Sequence, residues 1–199
     1  MGVANLNTQL DASSEVVHAL ASTSNCFLKL QAQADNIVKM AKVWQQALQQ
    51  GHKIIFCGNG GSAADSQHLA AELVGRYQLN RQALASISLT VDTSILTAVG
   101  NDFGFEQIFV RQLAALGHSG DVLVGLSTSG NSPNVIAAVK YAKEHQIISM
   151  AFTGSEGGQL KDLADYLLAA PSKITSQIQE MHIAIGHLMC AMVERELAR

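Results

Sequence analysis

Runs of apolar residues divide the chain into helix-like ends and a strand-rich middle. From residue 1 to about 50, and again from about 175 to 197, apolar side chains recur at helical spacing, which predicts long terminal helices. Between them, short apolar runs predict strands at 53–57, 85–89, 121–126, 147–152 and 166–169. Stretches long enough for helices separate these runs, and that alternation is typical of a parallel sheet.

Two of the predicted strands indicate how the sheet is covered. The runs at 122–124 and 147–152 are almost wholly apolar and have no alternating polar face, as expected of strands with helices on both sides. We therefore predict an α/β fold, doubly wound and flavodoxin-like, with a parallel five-stranded sheet and long N- and C-terminal helices. The length suits a single domain over residues 1–199.

The terminal helical segments carry more apolar surface than one domain needs. Residues 27–48 and 178–197 have apolar side chains on more than one helical face. Packing between subunits explains this excess, and packing within one chain is the alternative. We expect residues 1–50 to form an N-terminal helical section used for oligomer packing.

Two loops rich in glycine and serine each stand between an apolar run and a helix start. They are GNGGS at 58–62 and STSGNS at 127–132. Glycines and the free backbone N–H groups of a first helical turn bind anions. Ser62 and Ser132 have N-cap character, and Pro133 suits the first helical position. A single loop of this kind is an ordinary capped turn, but two at one edge of a sheet predict a phosphate site.

Composition and charge narrow the classes of partner. The net charge of −3 comes without a basic run, which argues against nucleic acid and against an anionic membrane surface. No apolar run approaches the ~20 residues of a membrane helix, and the first residues lack a signal-peptide pattern. Cys26, Cys57 and Cys190 lack the spacing of a disulfide framework or a zinc site. We expect a cytoplasmic protein that does not bind membranes.

Candidate acid–base residues fall on two predicted helices. His68 and Glu72 are four residues apart, so they share a helix face beyond the first loop, where a simple surface hydrogen bond is the alternative role. Gln179 and His187 are eight apart, about 80° around the axis and about 12 Å along it. A carboxylate and an imidazole beside phosphate loops suit aldose–ketose isomerisation through an enediol. These four residues could also bind zinc. His182 lies off this face, and we expect it to be structural or solvent-facing.

Four motifs together resemble the phosphoheptose isomerases of the sugar isomerase (SIS) domain superfamily. In chain order they are the first loop with His68 and Glu72, the segment GNDFGF at 100–105, the second loop, and IQEMH at 178–182 with His187. The motifs follow the same order over nearly the whole chain. The set is therefore far more specific than any single motif.

The resemblance implies conversion of sedoheptulose 7-phosphate to D-glycero-D-manno-heptose 7-phosphate, the first step of bacterial ADP- and GDP-heptose (lipopolysaccharide core) biosynthesis. It also implies a homotetramer with active sites between subunits, one Zn²⁺ per subunit and no nucleotide cofactor. By the same resemblance, Glu72 is the base and His187 the acid. It implies sugar contacts from Asn59, Gly60, Gly61, Glu72, Asn101, Asp102 and Gln179. It implies phosphate contacts from Ser127, Thr128, Ser129 and Ser132. The implied metal ligands are His68, Glu72, Gln179 and His187.

Three alternatives stay open. The same fold resembles a non-catalytic adaptor that binds the bacterial replication initiator, although such relatives lack the glutamate and histidine present here. The first loop also loosely matches a dinucleotide-binding pattern, but the acid expected about 20 residues on is missing and Asp92 is the first candidate. An isomerase or sensor for another sugar phosphate would share both loops.

One stretch departs from the family pattern. Several family members carry an aspartate a few residues before the helix glutamine, where this chain has ITSQ at 174–177. This stretch offers hydroxyl and amide groups but no carboxylate.

Overall fold

A parallel five-stranded sheet forms the centre of the structure, a computed structural model that describes residues 11–198. The strand order is β2-β1-β3-β4-β5 and all neighbours are parallel. The strands are β1 (Ile54–Gly58), β2 (Ser86–Ser88), β3 (Val122–Leu126), β4 (Ile148–Thr153) and β5 (Tyr166–Ala169). This order confirms the doubly wound, flavodoxin-like prediction, and each strand lies within a residue or so of its predicted position.

Helices flank the sheet and extend the chain at both ends. They are α1 (Ala12–Leu30), α2 (Ala34–Gln49), α3 (Gly61–Val74), α4 (Thr93–Phe103), α5 (Val110–Leu116), α6 (Pro133–Glu144), α7 (Leu160–Leu163) and α8 (Thr175–Leu197). The predicted N-terminal helical section is present from residue 12, and a 3₁₀ turn at Gln31–Gln33 within it separates α1 from α2. The start of that prediction, residues 1–10, lies outside the described residues. No helix within 11–198 is long and apolar enough to cross a bilayer.

Two apolar cores lie on opposite faces of the sheet. Strand β1 contributes to both, because Ile54 and Phe56 join one cluster while Ile55 and Cys57 join the other, as the two-residue period of a strand requires. The first core holds residues of α1, α2, α3 and α8, with the Trp44 ring edge-on to Phe56 at 5.4 Å between centroids. The second holds residues of α5, α6 and α7. Burial of the first face packs α3 and α8 against the sheet and against each other.

The cysteines belong to the packing rather than to the chemistry. Cys26, Cys57 and Cys190 are buried and unpaired, which confirms the expectation that they form no disulfide framework. Burial raises the pKa of the Cys57 thiol and of the Cys190 thiol to about 12. Both thiols are therefore protonated near neutral pH and poor nucleophiles.

Candidate active site

The two phosphate-type loops lie side by side at the point where the strand order reverses. Strands β1 and β3 are neighbours, and Gly58 at the end of β1 pairs in register with Leu126 at the end of β3. Asn59 and Asn134 exchange two amide hydrogen bonds of 2.9 and 2.8 Å, which join the first loop to the start of α6. Ligands of doubly wound sheets bind at this position. The structure thus brings both predicted loops to one crevice.

The first loop is tighter than the sequence indicated. Gly60, with φ of +56°, occupies the N-cap position and α3 begins at Gly61, so the prediction of Ser62 as N-cap is wrong. Ser62 is instead buried in the first turn, where its carbonyl accepts a 2.7 Å hydrogen bond from the Ser66 hydroxyl. A Cβ atom on Gly61 would lie 2.6 Å from the Gln179 amide nitrogen. A side chain at this position would therefore displace the end of the Gln179 side chain of α8, which packs directly against the loop.

The second loop is held in a fixed shape by its own side chains. Ser132 and Pro133 occupy the N-cap and first position of α6, as predicted. The hydroxyls of Ser127 and Ser132 are 2.8 Å apart, and the Ser129 hydroxyl accepts a 3.1 Å hydrogen bond from the backbone N–H of Asn131. Together with Thr128, these side chains give a cluster of hydroxyls at a helix N-terminus. Such a cluster can hold the oxygens of a phosphate group.

Two histidines and a glutamate converge between α3 and α8. His68 and Glu72 come from α3, and His187 comes from α8, 119 residues further along the chain than His68. Nε2 of His68 lies 3.2 Å from Glu72 Oε1 and 2.8 Å from Nε2 of His187. One ligand atom from each residue lies within 4.8 Å of the other two. His68 and Glu72 are thus in contact, as their spacing predicted, but the contact is part of a three-residue cluster.

The charges in this cluster favour a neutral imidazole on α8. Burial lowers the pKa of His187, the nearby His68 lowers it further, and Glu72 opposes both effects. Tyr77 stacks on the His187 ring at 5.5 Å between centroids with 25° between the planes. Asp65, one turn before His68, has a buried carboxylate oxygen without a hydrogen-bond partner among the described residues. Burial raises the pKa of Asp65, and the nearby His68 opposes this shift without cancelling it.

The cluster fits a divalent transition metal by the chemistry of its donors. Two imidazole nitrogens and one carboxylate are the ligands of many catalytic zinc sites, which keep one position open for water or substrate. The two Nε2 atoms already point at each other across 2.8 Å. The fourth predicted ligand, Gln179, lies against Gly61 at the edge of the first loop.

A buried ion pair that the sequence analysis missed fixes α3 relative to α8. Glu194 of α8 accepts hydrogen bonds of 2.7–3.2 Å from the backbone N–H groups of residues 77–79. Its Oε1 is 3.4 Å from Nε of Arg81. The two terminal nitrogens of the Arg81 guanidinium donate 2.8 Å hydrogen bonds to the carbonyls of Glu72 and Leu73. The pair therefore holds the end of α3 and the turn that carries Tyr77. The available sequence signal was a carboxylate directly after the apolar run at 188–193 of the last helix.

The two predicted site residues of the GNDFGF segment lie on an exposed helix. Asn101 and Asp102 lie on α4, where both are exposed and Asn101 donates a 2.8 Å hydrogen bond to Asp102. No residue of α4 is buried. Sugar contacts from these two residues stay a prediction.

His182 is structural, and the alternative of a solvent-facing side chain is wrong. Its side chain is fully buried, packs edge-on against Phe152, and forms a 3.0 Å hydrogen bond through Nε2–H to the Thr153 carbonyl. Its Nδ1 is buried without a hydrogen-bond partner among residues 11–198. Burial lowers the pKa of His182 from 6.5 to about 4, with the Thr153 hydrogen bond opposing the shift.

This burial predicts a pH dependence of stability. Between pH 6.5 and about 4 the unfolded chain binds a proton at His182 and the folded chain does not. The free energy of unfolding should therefore fall as the pH drops through this range, by about 3 kcal/mol in total from this group. Urea unfolding at several pH values measures it. In His182→Gln, which keeps a donor but does not titrate, the same fall should be smaller; an identical pH dependence in both proteins would contradict the assignment.

Comparison with known proteins agrees with this geometry. Residues 20–154 match the SIS domain family. The phosphoheptose isomerase of Akkermansia muciniphila is 57% identical over 171 residues, which cover 86% of this chain and 90% of that protein. The structure of a phosphoheptose isomerase from Neisseria gonorrhoeae superposes with a TM-score of 0.88 at 43% identity, covering 92% of this chain and 98% of that one. The Francisella tularensis enzyme gives 0.89 at 34%, covering 94% and 100%.

The chain therefore belongs to the SIS domain family. Within it, the chain falls among the phosphoheptose isomerases, so the protein is a sugar isomerase, as its motifs predicted. This membership argues against the dinucleotide enzyme and the non-catalytic adaptor as alternatives.

Proposed function

We propose that this protein interconverts sedoheptulose 7-phosphate and D-glycero-D-manno-heptose 7-phosphate in the cytoplasm, as the first step towards bacterial ADP- and GDP-heptose. The observation that carries the proposal is the meeting of Glu72 and His187 between α3, which begins at the first loop, and α8, whose Gln179 packs against that loop. The seven-carbon substrate follows from the names of the relatives. The buried, unpaired cysteines are consistent with a reducing compartment.

Each group has a defined task in the proposed reaction. The hydroxyls of Ser127, Thr128, Ser129 and Ser132 hold the phosphate and place the other end of the sugar near α3 and α8. Glu72 removes a proton from C1 of the ketose and returns it to C2, while His187 transfers a proton between the two oxygens. Hydrogen bonds to the sugar come from the remaining predicted contacts, namely Asn59, Gly60, Gly61, Asn101, Asp102 and Gln179.

Asn59 has a second task in this scheme. Its amide is paired with Asn134 in the free protein, so its side chain also sets the spacing between the two loops. The backbone of the first loop is then the part that is free to approach the sugar, and Gly60 and Gly61 leave room for that approach.

We assign the bound metal, Zn²⁺ at one ion per subunit, to His68, Glu72 and His187, with Gln179 as the fourth ligand. When bound, the ion would polarise the substrate carbonyl and stabilise the enediolate. The donor set supports this assignment. No nucleotide cofactor is needed for the proposed proton transfers.

Removal of one imidazole should empty the metal site. His68→Ala is expected to lower the metal content of the purified protein from about one ion per chain to near zero. The three ligands that remain are one carboxylate, one imidazole and one weakly binding amide, and they bind zinc far more weakly than the full set. Elemental analysis measures the content. His145→Ala, which removes an exposed histidine at the end of α6, is the matched control. Full metal content in the first variant would contradict the ligand assignment.

We further propose that the protein is a homotetramer with active sites between subunits, and that residues 1–50 serve this assembly. Large apolar side chains of α1 remain exposed, with Val16, Val17 and Leu20 at 57–67%. A cavity of about 500 Å³ between α1, α2 and α8 is lined mainly by apolar residues that include Phe27 and Leu188. Contact with a second copy of the chain best explains the exposed apolar surface of the terminal helices. Light scattering of the purified protein should give four chains per particle, and a stable monomer would contradict the proposal.

The substrate is tested with a panel of ketose phosphates. Purified protein is incubated with five-, six- and seven-carbon ketose phosphates, and formation of the corresponding aldose is followed. The proposal requires turnover that is fastest with sedoheptulose 7-phosphate. Faster turnover of a shorter sugar would identify an isomerase for another sugar phosphate, and absence of turnover with all three would favour a binding or adaptor role.

A further inference from the structure

One cationic side chain lies at the cavity beside the second loop. This cavity, of about 190 Å³, lies beyond the carboxyl ends of β3, β4 and β5, and Thr128 and Ser129 line one side of it. Ser155, Glu156 and Lys173 line the opposite part. Among the described residues that line this cavity, Lys173 is the single cation and Glu156 the single anion.

The described residues of the cavity carry no positive charge to balance a bound phosphate unless Lys173 supplies it. A phosphate monoester carries close to two negative charges near pH 7, and the loop hydroxyls are neutral. Glu156 would repel such an anion. In the structure Nζ of Lys173 donates a 2.5 Å hydrogen bond to Glu156 Oε1, and this contact lowers the pKa of Glu156 and raises the pKa of Lys173. Both groups are therefore charged at neutral pH.

The Lys173–Glu156 ion pair contributes little to stability, but hydrogen bonds fix the backbone next to Lys173. The side chains of Lys173 and Glu156 are 76% and 71% exposed, and exposed pairs contribute little to folding. The preceding residue, Ser172, is buried: its hydroxyl accepts from the Ile174 N–H at 3.1 Å and its carbonyl accepts from the Ser155 N–H at 3.0 Å. These bonds keep Lys173 at the cavity, while its flexible stem leaves the ammonium free to move.

We propose that Lys173 is a substrate-binding residue, whose ammonium turns from Glu156 to the phosphate of the sugar when the substrate enters the cavity. The inference rests on the proposed function for the identity of the sugar phosphate. Glu156 holds the ammonium beside the cavity until then. Lys173 thus supplies the positive charge that the serine and threonine hydroxyls of the second loop lack, and it favours phosphorylated over unphosphorylated ketoses.

Three variants test this role: Lys173→Met, Glu156→Gln and the double variant. Lys173→Met should raise KM for sedoheptulose 7-phosphate about tenfold and leave kcat unchanged, because a charge-assisted hydrogen bond to the phosphate is lost. Glu156→Gln should bind no more weakly than the unmodified protein. The double variant should stay as weak as Lys173→Met. Lys143→Met, which removes an exposed lysine near the end of α6, should change neither constant.

Binding of inorganic phosphate, measured by calorimetry, separates this inference from the proposed function. Lys173→Met should weaken phosphate binding by a similar factor, whether or not the protein turns over any sugar. An unchanged KM and unchanged phosphate affinity in Lys173→Met would overturn the proposal. A double variant that regains the original affinity would also overturn it, because Lys173 would then act only by neutralising Glu156. If the unmodified protein has no isomerase activity but its phosphate binding still depends on Lys173, only the proposed function is rejected.

Discussion

Replacement of Glu72 by glutamine should lower isomerase turnover by about 10²–10⁴-fold, the usual contribution of a general base. Glutamine keeps the shape of the side chain and an oxygen near His68, but it cannot remove a proton from carbon. Glu72 lies at the surface of the cluster, with 20% of its side chain exposed. The fold and the assembly should therefore survive, so the loss should be confined to kcat.

The experiment needs two accompanying measurements. Circular dichroism and light scattering show whether the variant keeps its helices and its oligomeric state, and elemental analysis shows whether it keeps its metal. Glu144→Gln at the end of α6 changes an exposed carboxylate and should retain full turnover. Turnover of Glu72→Gln equal to that of the unmodified protein would remove Glu72 from the role of base.

Replacement of Glu194 by alanine should have the largest effect on stability. The side chains of Glu194 and Arg81 are only 1% and 3% exposed, so the variant would leave a buried guanidinium unpaired and three backbone N–H groups without their acceptor. Removal of one partner of a buried ion pair costs about 3–5 kcal/mol. The free energy of unfolding should fall by this amount, and Tm should fall by on the order of 10 °C.

Denaturant unfolding and thermal melting measure this change. Glu196→Ala, two residues further along α8 and exposed, is the control and should be nearly neutral. Should Glu194→Ala fail to fold, Glu194→Gln keeps one oxygen acceptor for the residue 77–79 turn and should lose part of the stability. A loss below about 1 kcal/mol in both variants would show that the pair does not hold α3 to α8.

The sheet was predictable from the sequence because its strands are continuous apolar runs. β1 and β3 are buried at every position, and burial on both faces leaves the local pattern unambiguous. The interruption of the first helix at Gln31–Gln33 was not predictable in the same way, since helical apolar spacing continues across it. A 3₁₀ turn of three residues leaves that spacing almost unchanged.

The site was predictable in its members but not in its geometry. The pairing of His68 with Glu72 follows from four-residue helical spacing. Their meeting with His187 depends on how α3 packs on α8, which no local pattern encodes. The residue types suggested the set, and the family resemblance assigned the roles. The N-cap at Gly60 rather than Ser62 was not predicted, because serine is the commoner N-cap residue. Tyr77, Arg81 and Glu194 were missed because their contacts are tertiary.

Proton exchange with solvent tests most directly whether a carboxylate moves a carbon-bound proton of the phosphorylated sugar. The purified protein is given sedoheptulose 7-phosphate in D₂O, and the aldose product is examined by NMR. A proton that passes through Glu72 can exchange with solvent, so the account predicts deuterium at C2 of the product, formed much more slowly by Glu72→Gln. Product with only protium at C2, formed by Glu72→Gln as fast as by the unmodified protein, would contradict it.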